Sequence, residues 1–373
     1  MSEYSRAGVD YRLIKGYKQK MIEMGKRTWS FPERRGVRIV RGGVHYYFQG
    51  ARHMWKQVTE GLGNKNWIAS WMEWHNKTTG RSYYEGIGQD TMRMADNDLL
   101  PFRALSVVYT DETAAGLDAW FSESPQRMSD LIGSFYKGCQ EVDCALTQGE
   151  SPALKHLIDT LPPPGMENAP FHAPSFSGCA TGIISPPERW LCIRPVEPGN
   201  RIIALASSDW HCNGASLIIK RAMELPDQFM TLLSNGKTLG EQALTVTTSY
   251  TRAVERLLQA ADIRYIQPIT GGGITKLASY PSPFRYRVEQ WLPVPPVCSF
   301  MREIGVTVKG CYETFNMGVG LVMIVPESDA DYTIDSCRAS GYEADDIGVV
   351  EAADEPEVIL EHEGGLRLVP LAD

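Results

Sequence analysis

The chain has 373 residues, of which 43% are hydrophobic and 22% are charged, so it is long enough for two globular domains. No apolar run approaches the roughly 18 residues of a membrane span, and residues 1–6 lack the charged and then apolar pattern of a signal peptide. The net charge is −8 (37 Lys and Arg against 45 Asp and Glu) with no evident basic block, so we expect a cytoplasmic protein without a nucleic-acid or membrane partner.

The N-terminal segment begins with a predicted helix and a predicted hairpin. Apolar residues at helical spacing predict a helix over residues 11–28. Extended, β-branched sequence follows over residues 34–49 and is interrupted by Gly42 and Gly43. This glycine pair favours a hairpin turn, and a flexible flap over a ligand is the alternative.

Residues 59–65 (TEGLGNK) form the first candidate site, because they combine a carboxylate, two glycines and a lysine. Backbone at Gly61 and Gly63 carries no Cβ and can approach an anion, Lys65 adds a positive charge, and Glu60 could hold a metal ion. The segment lacks the Walker-A form and the third glycine of a dinucleotide fingerprint, so by itself it is a weak signal.

A second candidate lies on the predicted helix over residues 88–98. Asp90 and Asn97 are seven residues apart and share one helix face, with Asp98 beside them. Clustered acids repel one another unless a cation intervenes, which points to a metal site. A solvated helix face is the alternative.

The rest of the N-terminal half ends at a strong breaker. We predict a strand over residues 103–110, a helix over 125–139 and a strand over 143–150 that ends in Glu150. The proline-rich stretch over 159–174 cannot continue either element and is the predicted domain boundary.

The C-terminal half contains a polar loop between a strand and a helix. A buried strand is predicted over residues 201–205, and residues 206–217 (ASSDWHCNGASL) then open a helix that Asn213 or a serine can cap. Free N–H groups at a helix start favour an anion. A structural, hydrogen-bonded His211 is the alternative to a functional one.

Residues 262–275 (DIRYIQPITGGGIT) are predicted to be a strand that ends in Gly271, Gly272 and Gly273. Three successive glycines are costly to order, so a folded chain keeps them where its backbone turns tightly or approaches something closely. A backbone surface for a ligand or phosphate and a plain turn both remain open. Four further elements are predicted, namely a helix over 249–260, a strand ending at 325, a helix over 330–340 and a hairpin around Gly364 and Gly365.

Seven motifs occur in an order that one protein family shares. They are residues 7–10 (AGVD), Asn97 with Asp98, residues 148–150 (QGE), residues 207–214 (SSDWHCNG), residues 269–273 (ITGGG), residues 293–296 (PVPP) and residues 315–320 (FNMGVG). Over residues 4–350 this set resembles the aminoimidazole ribonucleotide synthetases, also called phosphoribosylformylglycinamidine cyclo-ligases. That family is related to selenophosphate synthetase and thiamine monophosphate kinase.

The resemblance implies an α+β fold of two domains. The N-terminal domain, residues 1–172, would bind ATP and pair in a homodimer through a β-barrel-like interface, and residues 173–350 would form an α/β sandwich followed by an acidic tail over 351–373. The implied reaction is the ATP-dependent closure of formylglycinamidine ribonucleotide to aminoimidazole ribonucleotide in purine biosynthesis, through phosphorylation of the formamide oxygen.

The resemblance also implies roles for individual residues. Mg²⁺ is expected at four carboxylates, Glu60, Asp90, Asp98 and Glu150. The residues expected to bind ATP are Gly42, Gly43, Gly61, Gly63, Lys65, Asn97 and Asp98. The residues expected to bind the phosphoribosyl substrate are Ser208, His211, Asn213, Gly214, Gly271, Gly272, Gly273 and Asn316. Catalytic roles are expected for Lys65, Asp98 and His211, the last as the proton-transfer group.

The chain also departs from the family pattern. Glu60 replaces an aspartate, Asn64 replaces a threonine, Asp209 replaces a glycine, and the glycine flap over residues 42–47 is bulkier. The turn after Asp98 differs as well. Mg²⁺ tolerates little misplacement of its ligands, so two alternatives stay open: a paralogue that uses ATP on another small molecule, and a non-catalytic homologue.

Overall fold

The computed structural model describes residues 23, 26–48, 50–164 and 171–370. Within these ranges the chain forms one six-stranded and one seven-stranded sheet. The helix predicted over residues 11–28 lies almost entirely outside the described residues. No described helix is long and apolar enough to cross a bilayer.

The six-stranded sheet belongs to the N-terminal half and has the order β1-β2-β3-β6-β4-β5. Its strands are β1 Val37–Ile39, β2 His45–Tyr47, β3 Met54–Gly61, β4 Leu105–Ala114, β5 Ala145–Glu150 and β6 Ser175–Ile184. Strands β1 and β2 pair antiparallel, which confirms the predicted hairpin at Gly42 and Gly43. Along β6 the side chains alternate between buried and partly exposed, so one face of the sheet is packed and the other is open.

Three helices flank the packed face, α1 Lys65–His75, α2 Ile87–Asn97 and α3 Pro125–Val142. Helix α3 starts at Ser124, whose hydroxyl accepts a hydrogen bond from the backbone N–H of Arg127. Helix α2 contacts both the sheet and α3. A Cβ at Gly88 would lie 2.6 Å from the backbone nitrogen of Phe135, so the close approach of α2 and α3 requires glycine at this position.

The seven-stranded sheet belongs to the C-terminal half and has the order β13-β12-β9-β11-β7-β10-β8. Its strands are β7 Arg201–Ala206, β8 Tyr265–Pro268, β9 Phe284–Val288, β10 Val319–Val325, β11 Ala344–Ala352, β12 Glu357–Leu360 and β13 Leu366–Leu368. All seven residues of β10 are buried, and the strand lies between β7 and β8. A strand buried on both faces reads as a continuous apolar run, as VGLVMIV does.

The C-terminal tail is part of this sheet. Strands β12 and β13 form the hairpin predicted around Gly364 and Gly365, and β12 pairs with β9 in parallel. Strand β11 runs through residue 350, where the predicted C-terminal domain ends. The division into domains 1–172 and 173–350 stays a prediction.

Seven short helices complete the C-terminal half, α4 Glu188–Leu191, α5 Ala215–Met223, α6 Leu239–Ala243, α7 Thr251–Leu257, α8 Pro296–Glu303, α9 Val308–Thr314 and α10 Ala330–Ala339. Side chains of α7 and α10 share one apolar cluster with β7, β8 and β10. The long strand predicted over 262–275 is wrong, because the strand stops at Pro268 and residues Gly273–Ser279 form a 3₁₀ helix.

Candidate functional site

Lys65 is a predicted phosphate ligand and Asp90 is a predicted metal ligand, but in the structure they form an ion pair with each other. Lys65 begins α1, is fully buried, and its Nζ lies 2.8 Å from Oδ2 of Asp90 and 2.7 Å from the carbonyl oxygen of Thr245. The other carboxylate oxygen of Asp90 accepts a hydrogen bond from the backbone N–H of Thr247 at 2.7 Å. Neither charge reaches solvent, so both residues act here as supports for the backbone of the C-terminal half.

Helix α2 holds the same segment, residues 245–250, through Asn97. The Asn97 Nδ2 group donates to the carbonyl oxygen of Thr248 at 2.9 Å, and its Oδ1 accepts the N–H of Tyr250 at 3.0 Å. Asp90 and Asn97 therefore use one helix face, as their spacing predicts. Backbone groups of the other half occupy that face, where the sequence interpretation expected a cation.

The polar loop after β7 holds the opposite side of this segment. The Ser208 hydroxyl donates to the carbonyl oxygen of Val246 at 2.6 Å, and Nε2 of His211 accepts the N–H of Thr248 at 3.4 Å. His211 is buried with a φ of 63°, and burial, helped by the positive charge of Lys65, lowers its pKa to about 3. The imidazole is thus neutral at physiological pH and serves as a structural acceptor.

The side chain of Asn316 also holds the polar loop after β7. Its Nδ2 donates to the carbonyl oxygen of Asp209 at 2.8 Å, and its Oδ1 accepts the N–H of Gly318 at 3.0 Å. The carboxylate of Asp209 is fully buried and accepts hydrogen bonds at 2.7 Å from the side chain of Gln242 and the N–H of Trp210. Burial raises the pKa of Asp209 to about 6. Sequence reasoning noted Asp209 as a departure but gave no signal for its partner Gln242.

The glycine-lysine loop of the N-terminal half meets the polar loop at the start of α5. Gly61 ends β3 and Gly63 has a φ of 74°. Between them and the helix, Nδ2 of Asn64 donates to Oγ of Ser216 at 2.9 Å. Two segments predicted to bind phosphates thus lie side by side, although Asn64 and Ser216 are 152 residues apart in sequence.

Gly214 is the residue before α5, and only glycine fits there. Its φ is 95°, and a Cβ would lie 2.5 Å from Cε1 of Phe315. Asn213 precedes it and is half-buried. The start of α5 is therefore positioned by packing against the segment that follows α9.

The Gly42 and Gly43 turn is docked on the N-terminal half. The Lys56 ammonium group donates to the carbonyl oxygen of Gly42 at 2.6 Å and lies 4.4 Å from the centre of the Phe102 ring. A Cβ at Gly42 would lie 2.8 Å from that ring. Phe102 belongs to the turn after Asp98, which departs from the family pattern. Its ring therefore supports the Gly42 and Gly43 turn.

Asp98 faces the glycine-rich segment across the boundary between the halves. Burial raises the pKa of Asp98, and the positive charge of Lys276 opposes that rise. Lys276 lies in the 3₁₀ helix Gly273–Ser279, and the turn Leu100–Phe102 contacts β8 just before the glycines. Asp98 and the turn that packs on Gly42 therefore both lie beside the glycine-rich segment, at the boundary between the two halves.

The three glycines mark a chain crossing. A Cβ at Gly273 would lie 2.0 Å from the carbonyl oxygen of Tyr312, and Gly272 has a φ of 94°. Gly271 is half-buried, whereas Gly272 and Gly273 are buried. Close backbone approach to α9 thus explains Gly273, and Gly271 is the most exposed of the three.

The four predicted metal ligands do not converge. Asp90 is neutralised by Lys65. Glu60 is the next-to-last residue of β3, and Glu150 is the last residue of the exposed edge strand β5. Two strands lie between β3 and β5, which separates them by about 14 Å at the usual strand spacing. Within the described ranges, no group of three or more His, Cys, Asp or Glu residues is arranged to hold a metal ion.

A cavity of about 370 Å³ lies between α1, the start of α3 and Phe171. Glu73 and Trp74 of α1 and Lys77 just after that helix line it, and Arg127 contacts Glu73 at 2.8 Å on its wall. The sequence interpretation missed this cavity. Its charged groups Arg127 and Glu73 neutralise each other.

Comparison with known proteins gives consistent matches. Residues 197–361 match the family described as AIR synthase related protein, C-terminal domain. Over 310 residues the chain is 31% identical to a phosphoribosylformylglycinamidine cyclo-ligase of Carboxydothermus hydrogenoformans, an alignment that covers 81% of this chain and 82% of that protein.

Solved structures share the fold. Thiamine-monophosphate kinase from Stenotrophomonas maltophilia superposes with a TM-score of 0.55 at 14% identity, over 89% of this chain and 93% of that one. The hydrogenase maturation protein HypE in complex with ATP superposes with a TM-score of 0.51 at 18% identity, over 76% and 78%. At these identities the likeness establishes a common mixed α/β fold.

Proposed function

Because the chain belongs to the phosphoribosylformylglycinamidine cyclo-ligase family, we propose that it closes formylglycinamidine ribonucleotide to 5-aminoimidazole ribonucleotide in purine biosynthesis. ATP would phosphorylate the formamide oxygen, an internal nitrogen of the substrate would attack the activated carbon, and phosphate would leave. The relatives are cyclo-ligases, so the chain is an enzyme that forms a C–N bond.

One observation carries the proposal beyond similarity. The loop over residues 59–65 and the loop over residues 206–217 meet at the hydrogen bond between Asn64 and Ser216. Residues 207–214 of the second loop are one of the motifs that the family shares, whereas the first loop departs from the family pattern at Glu60 and Asn64. Both loops present glycine backbone and helix starts, which favour phosphate groups.

The boundary between the halves is the proposed ATP site. Gly42, Gly43, Asp98 and Gly271 would line it, and Lys276 would supply a positive charge for phosphate oxygens. Phosphoryl transfer needs charge neutralisation and positioning more than a protein nucleophile. Lys65 supports this site indirectly, since Asp90 and Thr245 already occupy its ammonium group.

The described carboxylates do not provide a cage for Mg²⁺. Mg²⁺ commonly binds through one or two carboxylates together with substrate phosphates. The proposal therefore keeps Mg²⁺ only as an ion that accompanies the nucleotide, and the cage of Glu60, Asp90, Asp98 and Glu150 is withdrawn from it.

The homodimer is supported by the open face of the six-stranded sheet. Ser177, Cys179 and Thr181 of β6 are partly exposed on that face, beside Thr110 of β4 and Thr59 of β3. A central strand exposed on one side is the kind of surface that a second sheet covers.

Incubation of the purified protein with ATP, Mg²⁺ and formylglycinamidine ribonucleotide tests the proposal. ADP and aminoimidazole ribonucleotide should form in equal amounts. ADP without the imidazole product would favour the paralogue that acts on another small molecule, and the bulky turn built by Phe102 against Gly42 is the observation that keeps this second candidate open. The absence of both products would leave a non-catalytic homologue.

A further inference from the structure

The net charge of −8 conceals an uneven distribution. Residues 26–56 contain eight Lys and Arg and one acid, which gives +7 (8 − 1), so the other residues together carry −15 (−8 − 7). The basic residues occur singly or in pairs along the segment, which is why no basic block is evident in the sequence. We call residues 31–48 and 50–53 the basic hairpin; it comprises the 3₁₀ helix Phe31–Arg35, β1, β2 and the loop that follows.

Five arginines of the basic hairpin are exposed, Arg34, Arg35, Arg38, Arg41 and Arg52. Within the described part of the chain, none of them lies within ion-pair distance of a carboxylate. The C-terminal sheet contrasts with this, because Arg285 and Arg287 are paired with Glu357 and Glu351 at 2.7 Å. The hairpin thus presents five positive charges that no described carboxylate pairs with.

Aromatic rings stand exposed among these arginines. Phe31 is 68% exposed and Tyr47 is 59% exposed. The guanidinium group of Arg38 lies 5.6 Å from the centre of the partly exposed Phe48 ring. Rings on the surface of a short ribbon bury little area in this chain, so they are available to stack on a partner.

The hairpin is ordered in advance of any partner. Strands β1 and β2 are paired over three residues, and Lys56 anchors the tip through the carbonyl oxygen of Gly42. From Arg35 to Arg41 an extended chain spans up to about 20 Å. One nucleotide is too small to contact both ends, whereas a chain of nucleotides presents a phosphate to each.

We propose that the basic hairpin binds single-stranded nucleic acid. The planar guanidinium groups would contact successive phosphates, for which their fork of donors is well suited, and the exposed rings would stack on bases. A single strand is favoured over a duplex because stacking on Phe31, Tyr47 or Phe48 needs bases that are not already paired and stacked. The overall charge opposes such a partner at long range, but salt confines that repulsion to about 10 Å.

Anisotropy of a fluorescent oligothymidylate strand, titrated with the full chain between about 50 and 200 mM salt, tests the proposal. Four phosphate contacts predict that log Kobs falls with log salt at a slope of about −2.8, because each contact on a single strand contributes about −0.7. The quadruple variant R34Q/R35Q/R38Q/R41Q should lose most of this slope. Y47A should weaken binding on the order of ten-fold and leave the slope unchanged, because stacking involves no counterion release.

A matched control removes four arginines elsewhere, in the variant R194Q/R256Q/R338Q/R367Q. It makes the same change in net charge and should bind the strand as the parent does. Circular dichroism must show that both variants are folded.

Four outcomes would overturn the proposal. They are no binding at low salt, equal loss of binding in the two quadruple variants, equal or tighter binding of a duplex or of anionic vesicles, and displacement of the strand by mononucleotide at comparable phosphate concentration. A further result would reassign the surface: if R34Q/R35Q/R38Q/R41Q changes the mass in light scattering and the parent binds no strand, the hairpin is an interface between two copies of this chain.

Discussion

Replacement of Lys65 by methionine separates its structural role from a direct role in phosphate binding. In the structure its ammonium group is enclosed by Asp90 at 2.8 Å and Thr245 at 2.7 Å, with no exposure to solvent. Methionine has a similar length but carries no charge, so K65M leaves the Asp90 carboxylate buried and unpaired. Removal of one partner from a buried ion pair costs about 3–5 kcal/mol.

The double variant K65M/D90N removes both charges and keeps an oxygen that can accept the N–H of Thr247. We expect it to recover much of the lost stability, because an unpaired buried charge causes most of the cost. Urea unfolding followed by tryptophan fluorescence measures the stability of both variants. Lys309, which is 56% exposed and pairs with Glu313 at 3.7 Å, gives the control K309M, with an expected change below about 1 kcal/mol.

The result that would refute this reasoning is specific. If K65M unfolds at the parent's urea midpoint but loses turnover, the ion pair is not what the lysine contributes. Lys65 would then contact phosphate in a conformation that differs from the one described. Equal destabilisation by K65M and by the double variant would also contradict an unpaired charge as the cause.

Three further predictions follow from individual contacts. G273A should destabilise the protein strongly, since a Cβ there would lie 2.0 Å from the carbonyl oxygen of Tyr312. The control G305A, at a φ of 92° with open space around it, should cost only about 1 kcal/mol. Similar urea midpoints for the two variants would contradict a close backbone approach at Gly273. Burial raises the folded-state pKa of Asp209 to about 6, above its unfolded value of about 3.9. Between these two values the folded state binds a proton that the unfolded state has lost. The free energy of unfolding should therefore fall as pH rises from about 4 to 6. In urea titrations at a series of pH values, D209N should reduce this loss of unfolding free energy by about 1–3 kcal/mol. Part of the loss will remain in D209N, because burial also raises the pKa of Asp96 to about 6. The His211 imidazole should not titrate by NMR between pH 5 and 8, because burial lowers its pKa to about 3, and a midpoint near 6.5 would show that it is open to solvent.

The sequence predicts local elements well where one residue pattern determines them. The β1–β2 hairpin follows from the glycine pair, α2 follows from helical spacing, and β10 follows from a continuous apolar run. The strand predicted over residues 262–275 is too long because apolar, β-branched residues are also used in the 3₁₀ helix Gly273–Ser279. There the backbone of α9 decides the conformation, and no local pattern reveals a distant contact.

The candidate site shows the same limit more clearly. Spacing correctly places Asp90 and Asn97 on one helix face, but it gives no information about what that face meets. The partner is the backbone of residues 245–250, a stretch with no motif of its own. A buried carboxylate looks the same in sequence whether a metal ion or a lysine neutralises it, so the interpretation as a metal site could be corrected only by the position of Lys65.

Residues 245–250 connect the predicted site residues of the two halves. Asp90 and Asn97 hold their backbone from the N-terminal half, and Ser208 and His211 hold it from the loop after β7. A shift of this segment would therefore move helix α2 and the polar loop together. Since Lys65 binds the same segment through Thr245, any ligand that competes for its ammonium group must also loosen the contact between the two halves.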